Sequence, residues 1–182
     1  MKRKDPIKTD YIYHIFNKTI EGKKVFDSNA SCNKFLDALI FYRSSALTMR
    51  LSQYEKLTLK FKNLYKKKLE DKDSFRANIL AFCLMPTHFH LLLKQTVTNG
   101  VSIFLANIQN SFTKYFNIKN SRIGPLFVQS FKSVLIKSEE QLKHVCRYIL
   151  LNPYSSGLIT KQQDLLSYPW SSFGEYLNEG GS

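Results

Sequence analysis

Two of the chain's four histidines stand two residues apart in the apolar run Phe82-Cys83-Leu84-Met85-Pro86-Thr87-His88-Phe89-His90-Leu91-Leu92-Leu93. Met85-Pro86-Thr87 breaks that run, which therefore reads as two strands meeting at a turn. Side chains at i and i+2 of a strand point the same way, so His88 and His90 converge while Phe89 and Leu91 face the other side. Two converging imidazoles are a platform for one divalent ion. An ion used in catalysis takes at least a third protein ligand and keeps positions open for water or substrate, so a partner must come from elsewhere. The competing reading of so short a motif is a pair of histidines satisfied in the core or at the surface.

A second set of polar groups with a shared direction lies near the C-terminus. Ser138 is placed as an N-cap, with Gln141 as its capping-box partner and Glu139 and Glu140 in the first turn of the helix that follows. Leu142, Val145, Cys146 and Ile149 form the stripe that binds this helix to the body. On the shoulder of the stripe, His144, Tyr148 and Asn152 recur at i, i+4 and i+8 and line one side. Pro153 is expected to stop the helix. A half-buried tyrosine and a C-capping asparagine would fit the same spacing.

The elements that must position these groups follow from periodicity. Tyr11 to Asn17 is an aromatic and β-branched run that reads as the first strand. His14 on it reads as a core or edge histidine, near the site only if this strand neighbours that of His88. After Asp27-Ser28-Asn29, Phe35, Leu36, Leu39 and Ile40 recur at helical spacing. From Leu51 to Asp73, Lys56, Lys60, Lys62, Lys66, Lys67, Lys68 and Lys72 alternate with Tyr54, Leu57, Leu59, Phe61, Leu64 and Tyr65. That segment is either a solvated insertion or a nucleic-acid contact surface. Val101, Phe104, Leu105, Ile108, Phe112, Tyr115 and Phe116 trace a second long helix. A polar loop with Lys119 and Arg122 follows, and Phe131 to Ile136 is a further strand. The order β-α-(insertion)-β-β-α-β is that of an α+β, ferredoxin-like split βαβ fold, an antiparallel sheet with helices on one face.

At 182 residues and 43% hydrophobic the chain is expected to be one domain, 1–182, with a Lys-rich insertion at about 51–75. Lysine and arginine total 27 against 14 acids, a net charge of +13, which makes a polyanion the expected partner, nucleic acid ahead of membrane lipid. Cys32, Cys83 and Cys146 lack Cys-x-x-Cys spacing and read as small hydrophobes. The basic start Met1-Lys2-Arg3-Lys4-Asp5-Pro6 has no apolar stretch behind it, and no run approaches a membrane span, so a cytoplasmic location is expected.

Met85-Pro86-Thr87-His88-Phe89-His90-Leu91-Leu92, Arg147-Tyr148-Ile149-Leu150-Leu151-Asn152-Pro153, Gly157-Leu158-Ile159 and Tyr168-Pro169-Trp170-Ser171-Ser172 together resemble the REP-associated tyrosine transposases, relatives of the small single-tyrosine HUH transposases. Tyr13-His14-Ile15, Asn17-Lys18 and Phe116-Asn117 also fit the pattern, so the resemblance spans nearly the whole chain. It implies an HUH nuclease in which two histidines hold Mg²⁺ or Mn²⁺ and a tyrosine on the following helix attacks single-stranded DNA. On that likeness His88 and His90 are the metal pair, Tyr148 is the nucleophile and Asn152 takes the position of the third ligand. The chain departs from the family's Gly-x-Leu-Trp-Gln-x-Arg-Phe-Lys at Gly124-Pro125-Leu126-Phe127-Val128-Gln129-Ser130-Phe131-Lys132, which lacks the Trp and the Arg.

The implied activity is that of a single-stranded DNA endonuclease and strand transferase, leaving a 5′-phosphotyrosine and a free 3′-OH at hairpin or repeat DNA. A phenolate is both a good nucleophile and a tolerable leaving group, which keeps the covalent bond reversible. His144, one turn before Tyr148, is placed to assist its deprotonation or to hold a flanking phosphate, unless it simply faces solvent. Arg122, Lys132 and Arg147 are candidate backbone contacts. Single-stranded or hairpin DNA is favoured as partner because the nucleophile must reach an exposed phosphate and the many aromatics can stack unpaired bases. No membrane partner is expected, and the protein is expected to be a monomer or homodimer. The alternative is a domesticated relative that binds hairpin DNA or RNA without cutting it, which the intact His88, His90, Tyr148 and Asn152 disfavour. An unrelated metal-dependent hydrolase would need a carboxylate base at a telling spacing, and none is seen.

Overall fold

The computed structural model describes residues 6–179; the basic stretch Met1 to Asp5 lies outside the described residues. In chain order the main elements are β1 (Ile12–Lys18), α1 (Asn29–Arg43), α2 (Leu51–Tyr54), α3 (Leu59–Glu70), β2 (Ala77–Met85), β3 (His88–Gln95), α4 (Gly100–Lys119), β4 (Lys132–Leu135), α5 (Glu139–Ser155) and α6 (Phe173–Glu179). The four strands form one sheet in the order β2-β3-β1-β4, every neighbouring pair antiparallel. The β-α-β-β-α-β order read from periodicity is therefore the order of the fold, an α+β, ferredoxin-like split βαβ arrangement.

One face of the sheet is covered by α1 and α4, the two crossover helices. Ile15, Leu84, Phe89, Leu91 and Leu93 meet Phe35, Leu39, Val101, Phe104, Leu105, Ile108 and Phe112 there, all at most 1% exposed. Phe26, Phe35, Phe89, Phe112 and Phe127 form a nest of rings with centroids 4.9 to 6.5 Å apart. Phe127 stands where the resembled pattern has its Trp, so this aromatic is a core residue. Within α1, Ile40 departs from its expected stripe and is 54% exposed.

Helices do not stay on one face. Ala81, Cys83, Met85 and Leu92 make the opposite face apolar as well, and α5 covers it with Ile149 and Leu150. A strand that is apolar on both faces demands cover on both sides. The parity of β2 is set by a bulge: Ile79 lies opposite Leu93 but Ala81 opposite Leu92, so Leu80 is an extra residue. Beyond it, Ala81, Cys83 and Met85 face α5; a strand without the bulge would present the other set.

The N-cap of α5 is Ser138, whose hydroxyl accepts from the Gln141 amide at 3.2 Å; the Gln141 side chain accepts from the Lys137 amide at 2.7 Å, one residue before the cap. Pro153 does not end this helix. It removes one backbone donor, yet the helix continues to Ser155 and closes through Ser156 N–H on the Asn152 carbonyl.

The Lys-rich segment folds as α2 and α3. Along α3 only Leu69 is buried, while Leu59, Phe61 and Leu64 join the lysines at the surface. After α5 the chain returns along the free edge of β2. Leu84 N–H bonds the Trp170 carbonyl, Ser172 N–H the Phe82 carbonyl, and the Tyr168 hydroxyl the Leu84 carbonyl at 2.5 Å. The Tyr168 to Ser172 motif is thus a strap that closes a sheet edge next to the histidine-bearing strand.

Candidate functional site

The turn at Pro86-Thr87 starts β3 at His88, and the period of two puts His88 and His90 on the α5 side of the sheet. Their ring centroids lie 5.1 Å apart, nearly perpendicular at 85°. The register of β1 on β3 sets Lys18 opposite His88, Phe16 opposite His90 and His14 opposite Leu92. His14 consequently shares the face of the pair: its Nε2 lies 2.9 Å from His90 Nδ1, and the two rings stack at 5.1 Å. On the other histidine, Nδ1 lies 3.1 Å from the Thr87 hydroxyl.

The helix α5 brings Tyr148 over these rings. Its ring stands edge-on to His90 at 5.5 Å and to His14 at 5.9 Å. With 46% of its surface exposed, its phenol is open to a partner although the adjacent Ile149 is fully buried. Asn152 follows one turn later on the same side, buried, with a side-chain amide that bonds to no protein group among the described residues.

Burial holds the His14 imidazole down to about 4. His90 is held down to about 3, by burial first and then by the charges His14 and His88 would carry. Burial lowers His88 as well. All three rings are therefore neutral near pH 7, the state in which an imidazole nitrogen can ligate a cation. Among the described residues no group of three or more His, Cys, Asp or Glu is arranged to hold a metal, so a third donor would be of another kind. The unpartnered Asn152 amide fits that requirement: two neutral imidazole nitrogens and an amide oxygen suit a divalent ion with open positions for water or phosphate.

The other expected residues are spread around this centre. His144 and Arg147 are exposed on α5, before Tyr148. Lys132 opens β4 opposite Phe16, which places it on the histidine face at the sheet edge. Arg122 sits away from the pair, beyond α4, where its guanidinium donates to Asn117 Oδ1 and to the Gly124 and Pro125 carbonyls and so clamps its own loop. Two residues that periodicity had not brought to the site are His14 and Lys18. The signal for both was the register between β1 and β3, which no local pattern carries. The half of this face that α5 leaves open, over Phe16, Lys18, Lys132 and Val134, is a shelf with one aromatic and two cations.

The antiparallel sheet with helices on both faces, carrying the histidine pair under Tyr148, defines an α+β protein of the ferredoxin-like class. The model of the IS200-like transposase family matches residues 39–152, and the chain belongs to that family. It is 25% identical over 123 residues to a Haemophilus influenzae protein assigned to the REP-associated tyrosine transposases, a match spanning 62% of this chain and 66% of that protein's length. A solved REP-associated tyrosine transposase bound to a REP hairpin superposes with a TM-score of 0.62 at 13% identity, over 99% of this chain and 86% of its own. The matched segment contains His88, His90, Tyr148 and Asn152 but leaves out β1 and its His14.

Proposed function

We propose that this transposase is a single-stranded DNA endonuclease and strand transferase that works through a 5′-phosphotyrosine on Tyr148. The observation that carries the reading is the half-exposed Tyr148 phenol standing edge-on over His90. Attack of its oxygen on a phosphate forms the tyrosyl ester and expels the 3′-oxygen, and reversal by a second 3′-OH rejoins strands without an external energy source. His88, His90 and Asn152 would hold Mg²⁺ or Mn²⁺, which when bound supplies charge neutralisation on the phosphoryl oxygens. His144, one turn before Tyr148, is assigned to its deprotonation or to a flanking phosphate. Lys132 and Arg147 would fix the DNA backbone, with Arg122 a more distant contact.

The solved relative holds a REP hairpin, and a hairpin with a single-stranded flank is accordingly the proposed partner. No helix among the described residues is long and apolar enough to cross a membrane. A cytoplasmic protein of one domain, acting as monomer or homodimer, completes the proposal. Incubation with such a hairpin and Mn²⁺ should yield a covalent protein–DNA band on a denaturing gel that EDTA prevents. Tyr148→Phe should remove the band while keeping most DNA affinity; a band of undiminished strength from this variant overturns the assignment.

A further inference from the structure

We infer that His14 is a positioning residue that fixes the tautomer of His90, keeping His90 Nε2 unprotonated and free for a cation. The inference rests on the reading of His88 and His90 as metal ligands. Both rings show the same arrangement: each has its Nδ1 against a protein group, Thr87 Oγ1 at 3.1 Å for His88 and His14 Nε2 at 2.9 Å for His90. In each case Nε2 is the nitrogen left over.

The contact between His14 and His90 has two forms, because it joins two ring nitrogens and carries one proton. In one, His14 Nε2–H donates to His90 Nδ1, the single proton of neutral His90 sits on Nε2, and that nitrogen is closed to a cation. In the other, His90 Nδ1–H donates to His14 Nε2, and the His90 Nε2 lone pair is free. The distance of 2.9 Å fits both forms, and the second is the one inferred for the working protein. Ligating histidines commonly donate their other N–H to an acceptor that sets ring orientation and basicity. Here the acceptor is another imidazole, delivered by the central strand β1 and held by stacking with His90 at 5.1 Å. His14 is only 8% exposed and Tyr148 stands over it, so its ring has little room to turn away.

Two measurements on the full chain test this. Nitrogen NMR of the metal-free protein should find His90 protonated on Nδ1 and His14 accepting through Nε2; a His90 proton on Nε2 overturns the inference. Calorimetric titration with Mn²⁺ should then show affinity roughly tenfold or more weaker in His14→Phe, which keeps a ring but has no acceptor. His14→Gln, whose amide oxygen can accept the Nδ1–H, should recover most of the loss. Wild-type Mn²⁺ affinity in His14→Phe also overturns it. Failure of the underlying reading looks different: wild-type protein that binds no Mn²⁺ removes the metal site itself, and the role of His14 with it.

Discussion

Tyr148 and Asn152 share one side of α5 yet meet opposite surroundings, a phenol open to solvent and a largely buried asparagine whose side chain has no hydrogen-bond partner among the described residues. Removing the amide should therefore cost little stability, under about 1 kcal/mol, because no side-chain hydrogen bond to the described residues is broken. If Asn152 ligates the ion, Asn152→Ala should raise the Mn²⁺ concentration needed for half-maximal cleavage at an almost unchanged melting temperature. An unshifted metal curve with a lowered melting temperature would return it to a structural role. The buried imidazoles also make stability depend on pH with a defined sign. His14 and His90 fall from the ordinary 6.5 to about 4 and about 3 in the folded chain, so between pH 6.5 and 4 the unfolded chain binds protons that the folded chain does not. Their contribution is fully present above pH 6.5 and is lost as pH falls through that window, by up to about 1.4 kcal/mol per histidine per pH unit. Melting temperature followed from pH 7.5 to 4.5 should show this decline, and His90→Leu should flatten it; equal slopes for the two proteins would count against the assignment.

At the scale of elements, the site depends on how α4 and the strap hold β2 and β3. Gly100 begins α4 against the chain entering β2, and a Cβ there would stand 2.2 Å from the Arg76 carbonyl oxygen. No rotamer relieves that contact, since the clash is between backbone and Cβ. Gly100→Ala should lower unfolding free energy by about 1–3 kcal/mol through a forced backbone shift, read as a reduced urea midpoint. The strap from Trp170 to Ser172 acts on the far edge of β2, where it satisfies backbone groups that would otherwise be open to another strand. The bulge at Leu80 decides which side of β2 meets α5, and so sets Cys83 and Met85 on the histidine face, beside His90 and His88.

For the molecule as a whole, the net charge of +13 is distributed unevenly. Lys18 and Lys132 flank the histidine face, while Lys60, Lys67 and Lys68 stand exposed on α3. Hairpin binding should weaken steeply with salt, log affinity falling linearly with log salt concentration. Replacing Lys60, Lys67 and Lys68 by alanine should reduce that slope, by about 0.7 for each phosphate of a single strand that is no longer neutralised. An identical slope would show that α3 is a solvated excursion and leave recognition to the shelf beside β1 and β4.

What the sequence determined by itself is what local periodicity carries. Alternation placed His88 and His90 on one face, the i, i+4 spacing placed Tyr148 and Asn152 on one side of a helix, and the β-α-β-β-α-β order named the sheet. The Ser138 cap and the apolar stripe of α4 were equally legible, being written within a few residues of where they act. Tertiary structure decided the rest. His14 joins His90 across 76 residues because β1 lies beside β3 in one register, and strand pairing depends on contacts that no window of neighbours contains. The bulge at Leu80, the second covered face of the sheet and the passage of α5 through Pro153 arise the same way, since packing of Ile149 and Leu150 on the sheet outweighs the missing hydrogen bond. Phe127 became a core ring and Ile40 a surface side chain because burial is set by which helix arrives opposite, a property of the assembled layers.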